Sequence, residues 1–293
     1  MRIAAACYPI DWHEGYLGFV EKHAAWVEAA AGQGAELLVF PEYAAMELAG
    51  LTSAQAAAHL TISMEAVCDM LDEYWDMCAG LARRHGVHIL AGSGPRNEGG
   101  AWVNRAMFLT PDGARQAHDK QIPTPWEREL MGVRAGAPLT LMETALGRIG
   151  VLICYDAEFP LLARALVEAG AEVLLVPSQT EAETGYNRVR IAAMARALEG
   201  QCVTVQAVTH GAAPWSAMLD TNAGAAGIYA PPDQGLPADG VIAQGAPDAP
   251  GWVIGEIDLA ALARARETGE VRTHADWAES AGGTRPVQTV TLA

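Results

Sequence analysis

The chain has 293 residues, of which 51% are hydrophobic and 18% charged, with a formal net charge of −16 and a pI near 4.8. That size and composition fit one large α/β domain with a substantial core. The acidity excludes nucleic acid and anionic membranes as expected partners, because both would repel it.

The opening MRIAAACYPIDW carries an apolar run too short for a signal peptide before Asp11 ends it. No stretch approaches the roughly 20 apolar residues of a membrane span. Five cysteines are scattered without CxxC spacing, and the eight histidines show no paired-ligand pattern. The expectation is a cytoplasmic protein with reduced thiols and no bound metal.

In chain order, the first apolar run, 3–8, reads as a buried strand. Residues 16–31 then space Leu17, Val20, Ala24, Val27 and Ala31 on one helical face. ELLVF (36–40) is a second strand, and residues 64–84 carry Met64, Val67, Leu71, Trp75, Cys78 and Leu81 at helical steps. Strand 87–92 is followed by AWVNRAMFLT, a PDG turn at 111–113 and ARQAHDK, which together predict a hairpin. Strands at 148–154, 172–178 and 202–208 come next, with a helix over 186–199. The stretch 230–251 is rich in Ala, Gly and Pro and reads as loops between strands near 225–230 and 252–257. Alternating strands and helices predict a layered α/β fold with a mixed sheet. One domain is expected over 1–293, with its core at about 1–265 and a tail after that.

Reactive polar residues stand where three of the expected strands end. ELLVFPE ends in Glu42, the hairpin arm reaches Lys120, and RIGVLIC ends in Cys154. Ligands of α/β sheets bind beyond the carboxyl ends of strands, so these three groups have a place to converge. Each has a plain alternative. Cys154 resembles a small buried hydrophobe, Glu42 could cap a helix starting near Ala44, and Lys120 could be an exposed lysine. Their combination favours chemistry: a cysteine nucleophile needs a nearby base, plus a cation or amide donors for the oxyanion. A cysteine–histidine pair is the competing arrangement, with His118 or His210 as the base, but it leaves Glu42 and Lys120 without roles. A non-catalytic binding protein is a third reading.

LLVFPEYA, HDKQIPTPWERE and GRIGVLICYDAEFP resemble the three signature blocks of the nitrilase superfamily, the carbon–nitrogen hydrolases, in that family's order. Similarity continues through LLVPSQTEAETGYNRVRIAAMARALEGQCVTVQAV, and the version here looks closest to the branch related to acetyltransferase-fused members. The resemblance implies a four-layer α-β-β-α sandwich of two mixed sheets. It implies Glu42 as general base, Lys120 as electrostatic stabiliser and Cys154 as nucleophile. It also implies a second glutamate near the lysine. Glu127 and Glu129 both fit, and Glu127 is favoured.

With these roles, a thioester intermediate forms and no cofactor is needed. The backbone N–H of Tyr155 would join Lys120 in holding the oxyanion. The expected substrate is a small amide, with water as the second reactant; a nitrile or a carbamoyl compound is the alternative. Tyr43, Gln179, Tyr186, Asn187 and Arg188 are expected around the pocket, with Arg188 or Arg190 available for a substrate carboxylate. The resemblance also implies a homodimer, for which the apolar FPLLARALV (159–167) and helix 186–199 offer surface and the tail after Glu267 a strap.

Overall fold

The computed structural model describes residues 1–247, 249–280 and 287–291. It begins with β1 (Arg2–Pro9), α1 (Tyr16–Ala31) and β2 (Leu37–Val39). A 3-10 helix (Ala44–Leu51) leads into α2 (Ala54–Ala57) and the long α3 (Leu60–His85). β3 (His88–Glu98), β4 (Ala101–Leu109) and β5 (Arg115–Asp119) then form an antiparallel meander. The hairpin of β6 (Met142–Thr144) and β7 (Gly147–Val151) precedes a 3-10 turn (Cys154–Glu158) and α4 (Pro160–Glu168). β8 (Val173–Ser178), α5 (Glu183–Gly200) and β9 (Val203–Ala212) come after it. β10 (Thr221–Asn222), β11 (Gly227–Tyr229), β12 (Val241–Gln244) and β13 (Gly251–Glu256) complete the strands, and α6 (Leu259–Thr268) and α7 (Thr273–Ser280) come last.

Among the described residues the strands fall into two halves. One runs β13-β1-β2-β3-β4-β5 and the other β12-β11-β9-β8-β7-β6. Each half has parallel strands at its centre and antiparallel ones at its margins. Cys7–Pro9 of β1 pair in parallel with Val208–His210 of β9, so hydrogen bonding continues from one half into the other.

The layers arise from alternation along buried strands. Ile3, Ala5 and Cys7 point into a cluster with Val151, Val173 and Leu175 of the second half. Ala4, Ala6 and Tyr8 point the opposite way, against Phe19 and Val27 of α1 and Leu71 and Tyr74 of α3. On the far side, Leu166 and Val167 of α4 and Val189 and Ala193 of α5 cover the second half. The result is helices, sheet, sheet, helices: a four-layer α-β-β-α sandwich of the expected kind. No helix among the described residues is long and apolar enough to cross a membrane.

Three stretches differ from the sequence expectation. The strand expected at 148–154 stops at Val151, because the backbone turns sharply at Cys154. The stretch 230–251 contains β12, which pairs with β11. The stretch after Glu267 folds back in part: in α7, the Trp277 ring lies 4.9 Å from the Arg164 guanidinium, and Thr273 donates to Leu198 O at 2.9 Å. The expected strap across a dimer extends into 281–286 and 292–293, outside the described residues.

One glycine fixes how close two strand ends come. Gly92 in β3 has φ 85, and a Cβ there would sit 2.4 Å from the carbonyl oxygen of Pro41, the residue before Glu42. Gly92→Ala adds left-handed strain and a backbone clash. Urea unfolding should show a loss of about 2–5 kcal/mol. A loss under about 0.5 kcal/mol would mean that the Pro41 loop is free to move away.

Candidate active site

Glu42 lies just past β2. Phe40 N–H extends the pairing with β3 by donating to Leu90 O at 2.9 Å, and Tyr43 N–H donates to Ser93 Oγ at 2.9 Å. Between these anchors, Tyr43 takes φ 55, a left-handed conformation uncommon for a bulky side chain. A 3-10 helix starts at Ala44, yet it has no side-chain cap at Tyr43, and the Glu42 carboxylate points elsewhere. It accepts from Lys120 Nζ at 2.7 Å, from Asn104 Nδ2 at 3.0 Å and from Gln179 N–H at 2.9 Å.

Lys120 comes directly after β5. Its N–H donates to Asn104 O at 2.9 Å, which keeps it beside β4. The side chain is 1% exposed, and its ammonium sits between two carboxylates, Glu42 and Glu127, at 2.7 Å each. Glu127 opens the wide turn Glu127–Met131 and is buried, whereas Glu129 is exposed. Residues two apart on a helical turn face different ways, so only one of the pair can reach the lysine. Thr124 N–H and the Tyr43 hydroxyl also donate to Glu127, at 2.7 and 2.6 Å.

Cys154 comes after Ile153 with φ 49, again in the left-handed region. This turn lifts the side chain out of the strand line and into the space before Glu42. Its thiol is 3.5 Å from Gln179 O and lies near enough to Glu42 for the two to act on each other's titration. Two residues on, buried Asp156 accepts from the N–H groups of Ile153, Gln121 and Ile122, at 3.2, 3.1 and 2.8 Å. One carboxylate thus ties the cysteine turn to the loop that carries Lys120. Burial pushes Asp156 up to about 7, against the pull of those backbone donors.

Burial and neighbouring charge set the protonation states. Burial alone would lower the Lys120 pKa, but Glu42 and Glu127 outweigh it and hold the ammonium above its usual range. Burial works to raise Glu127, but the Lys120 charge and the hydrogen bonds from Lys120 and Tyr43 prevail and leave it low. Glu42 ends raised: burial dominates, Lys120 offsets only part of it, and the Glu127 charge adds to it. Burial, then the Glu42 charge, push the Cys154 thiol well up, while Lys120 opposes them. The surroundings therefore favour the thiol form of Cys154 and a Glu42 of raised basicity.

These groups open into a pocket of about 310 Å³. Glu42, Tyr43, Lys120, Glu127, Cys154, Tyr155, Gln179 and Arg188 all line it. Tyr186 and Asn187 do not. Thr184, Gly185 and Arg188 share the pocket side of α5, which turns their neighbours away, and Tyr186 packs into the apolar cluster of the second half. Arg188 pairs with Glu158 at 3.4 Å, and Arg190 donates to Gln244 at 3.1 Å. Neither His118 nor His210 lines the pocket; His118 is buried, and burial lowers its pKa to about 4. Sequence reasoning does not single out Asn104 or Asp156, nor Trp126, which also lines the pocket. Asp156 stands two residues past Cys154 and is legible as a candidate, whereas Asn104 sits mid-strand with no local signal.

A family model described as carbon–nitrogen hydrolase matches residues 2–267. A probable hydrolase, YhcX of Bacillus subtilis (strain 168), is 31% identical over 272 residues, covering 93% of this chain and 52% of that protein. A deaminated glutathione amidase of Synechocystis sp. (strain PCC 6803 / GT-S) is 30% identical over 223 residues, covering 66% of this chain and 77% of the relative. The chain thus spans about half the length of the first relative. Among solved structures, a carbon–nitrogen hydrolase from Helicobacter pylori G27 superposes with a TM-score of 0.73 at 17% identity, covering 91% of each chain, which shows the shared fold. The chain belongs to the carbon–nitrogen hydrolase family, within the nitrilase superfamily.

Proposed function

We propose that this carbon–nitrogen hydrolase cleaves a small amide through a thioester on Cys154. The observation that carries the reading is that Glu42, bonded to the Lys120 ammonium at 2.7 Å, lines one pocket with the Cys154 thiol. The thiol proton passes to Glu42 as sulfur attacks the amide carbon. The oxyanion is stabilised by the Lys120 ammonium and the N–H of Tyr155. Glu42 returns the proton to the departing nitrogen, and ammonia or an amine leaves. Water then loses a proton to Glu42 and attacks the thioester; the sulfur leaves and recovers that proton. Glu127 keeps Lys120 in place. The chemistry uses no cofactor.

The pocket volume, near the lower end of the usual range for ligand sites, favours a small substrate. Relatives named amidases stand beside relatives named nitrilases, so the amide is proposed ahead of the nitrile and the carbamoyl group for the substrate panel to decide. Arg188 is already paired with Glu158, which weighs against it as a ready-made carboxylate receptor. Among the described residues no histidine lines the pocket wall, which weighs against a cysteine–histidine mechanism. The cytosol suits the reading, since a reactive thiol stays reduced there.

The same reading includes a homodimer. Leu161 on α4 and Ile191 and Leu198 on α5 are 73, 63 and 45% exposed, a set of apolar side chains on adjacent outer helices. Light scattering at micromolar concentration should give twice the chain mass of 30.9 kDa. A monomer mass would remove the dimer from the reading.

A panel of short amides, carbamoyl amines and aliphatic nitriles, read by ammonia release, tests the activity. Amides should be turned over fastest, and Cys154→Ala should abolish turnover with the unfolding temperature little changed. Near-wild-type turnover by that variant would contradict the nucleophile assignment.

A further inference from the structure

The two carboxylates around Lys120 share a second donor. Asn104 is fully buried on β4, and its single side-chain nitrogen lies 3.0 Å from Glu42 Oε1 and 3.1 Å from Glu127 Oε1. Its two amide hydrogens are thereby divided between the two acids. Glu42, Lys120, Glu127 and Asn104 close a ring in which each carboxylate receives one bond from the ammonium and one from the amide. Asn104 O also accepts the Lys120 N–H, so one residue touches three corners of the group. Its own Oδ1 is buried with no partner among the described residues. A buried orphan acceptor is costly and points to a residue kept for what its nitrogen does.

We infer that Asn104 is a positioning residue that holds Glu42 and Glu127 apart and ionised around a single ammonium, and so sets the basicity of Glu42. The reason is charge balance. Two carboxylates and one ammonium leave a negative charge in a buried place. Lys120 can neutralise one carboxylate; the other needs neutral donors aimed at it. The Asn104 amide supplies one to each without adding charge. Aspartate at this position would add a third carboxylate. Leucine, of similar size, would donate nothing.

A bond donated to ionised Glu42 lowers its pKa. Losing the bond lets Glu42 hold a proton to higher pH, so the acidic limb of thiol activation moves upward, by about one unit for a hydrogen bond to a charged group. The inference rests on the proposed Glu42–Cys154 chemistry, so the test must separate the two.

Alkylation of Cys154 by iodoacetamide does so without needing a substrate. Peptide mapping by mass spectrometry tracks the Cys154 peptide against partly exposed Cys68 in the same molecule. In the wild type, Cys154 should react faster than Cys68, with a limb that tracks Glu42. Failure there overturns the proposed chemistry itself. Given a fast wild type, Asn104→Leu should move the limb upward, and Asn104→Ser, which keeps one donor, should fall between. If Asn104→Leu does not fold, the limb is read in Asn104→Ser and should still lie above the wild type. A limb unchanged in every folded variant, whatever the change in unfolding temperature, would overturn the inference.

Discussion

One ammonium buried between two carboxylates organises this molecule. Lys120 is 1% exposed and meets Glu42 and Glu127 at equal distances. Desolvating an ion costs several kcal/mol, so such a lysine persists only where its partners are close and themselves hydrogen-bonded. Both conditions are met: Glu42 is held by Gln179 N–H and Glu127 by Thr124 N–H and the Tyr43 hydroxyl. Its partners nonetheless differ. Glu127 has the richer set of donors and stays firmly ionised, while Glu42, facing the thiol, carries the surplus basicity. In the proposed reaction Glu127 holds and Glu42 transfers the proton, and what separates the two carboxylates is their surroundings rather than residue type.

The fold supplies the geometry by bringing loops from both halves to one end. Glu42, Asn104 and Lys120 come from the half containing β2, β4 and β5, and Cys154 and Gln179 from beyond β7 and β8 of the other. Two side chains at this junction take left-handed backbone angles, Tyr43 and Cys154. Such angles cost about 1–3 kcal/mol each and persist where surrounding contacts over-determine them. Those contacts are visible: Ser93 holds the N–H of Tyr43, and Asp156 accepts from the residue before Cys154 and from the loop after Lys120.

Much of this is legible in the sequence because buried parallel strands are short apolar runs, and the residues beyond each run must leave the sheet. That logic places Glu42 and Cys154 at strand ends, the hairpin read from its PDG turn does the same for Lys120, and the signature blocks around them imply the sandwich. Glu127 and Glu129 are not separable on sequence, since only the local turn decides which of two alternating acids faces inward. Tyr186 and Asn187 are adjacent to the correct face of α5 but on the wrong side of it, a rotation that a run of polar residues does not reveal. Asn104 is invisible for a different reason. It sits among ordinary strand residues, and its importance comes entirely from its neighbours in space.

The central claim is that the Lys120 charge both holds the glutamates and favours the charged form of the reacting groups. The most direct measurement is the thiolate absorbance of Cys154 across a pH titration, comparing wild type with Lys120→Met in a background where the other four cysteines are serine. Without the ammonium, thiolate should appear at higher pH than in the wild type, because the Lys120 charge favours it. Two superposed titrations, in a variant shown to be folded, would contradict a Lys120 charge acting on Cys154.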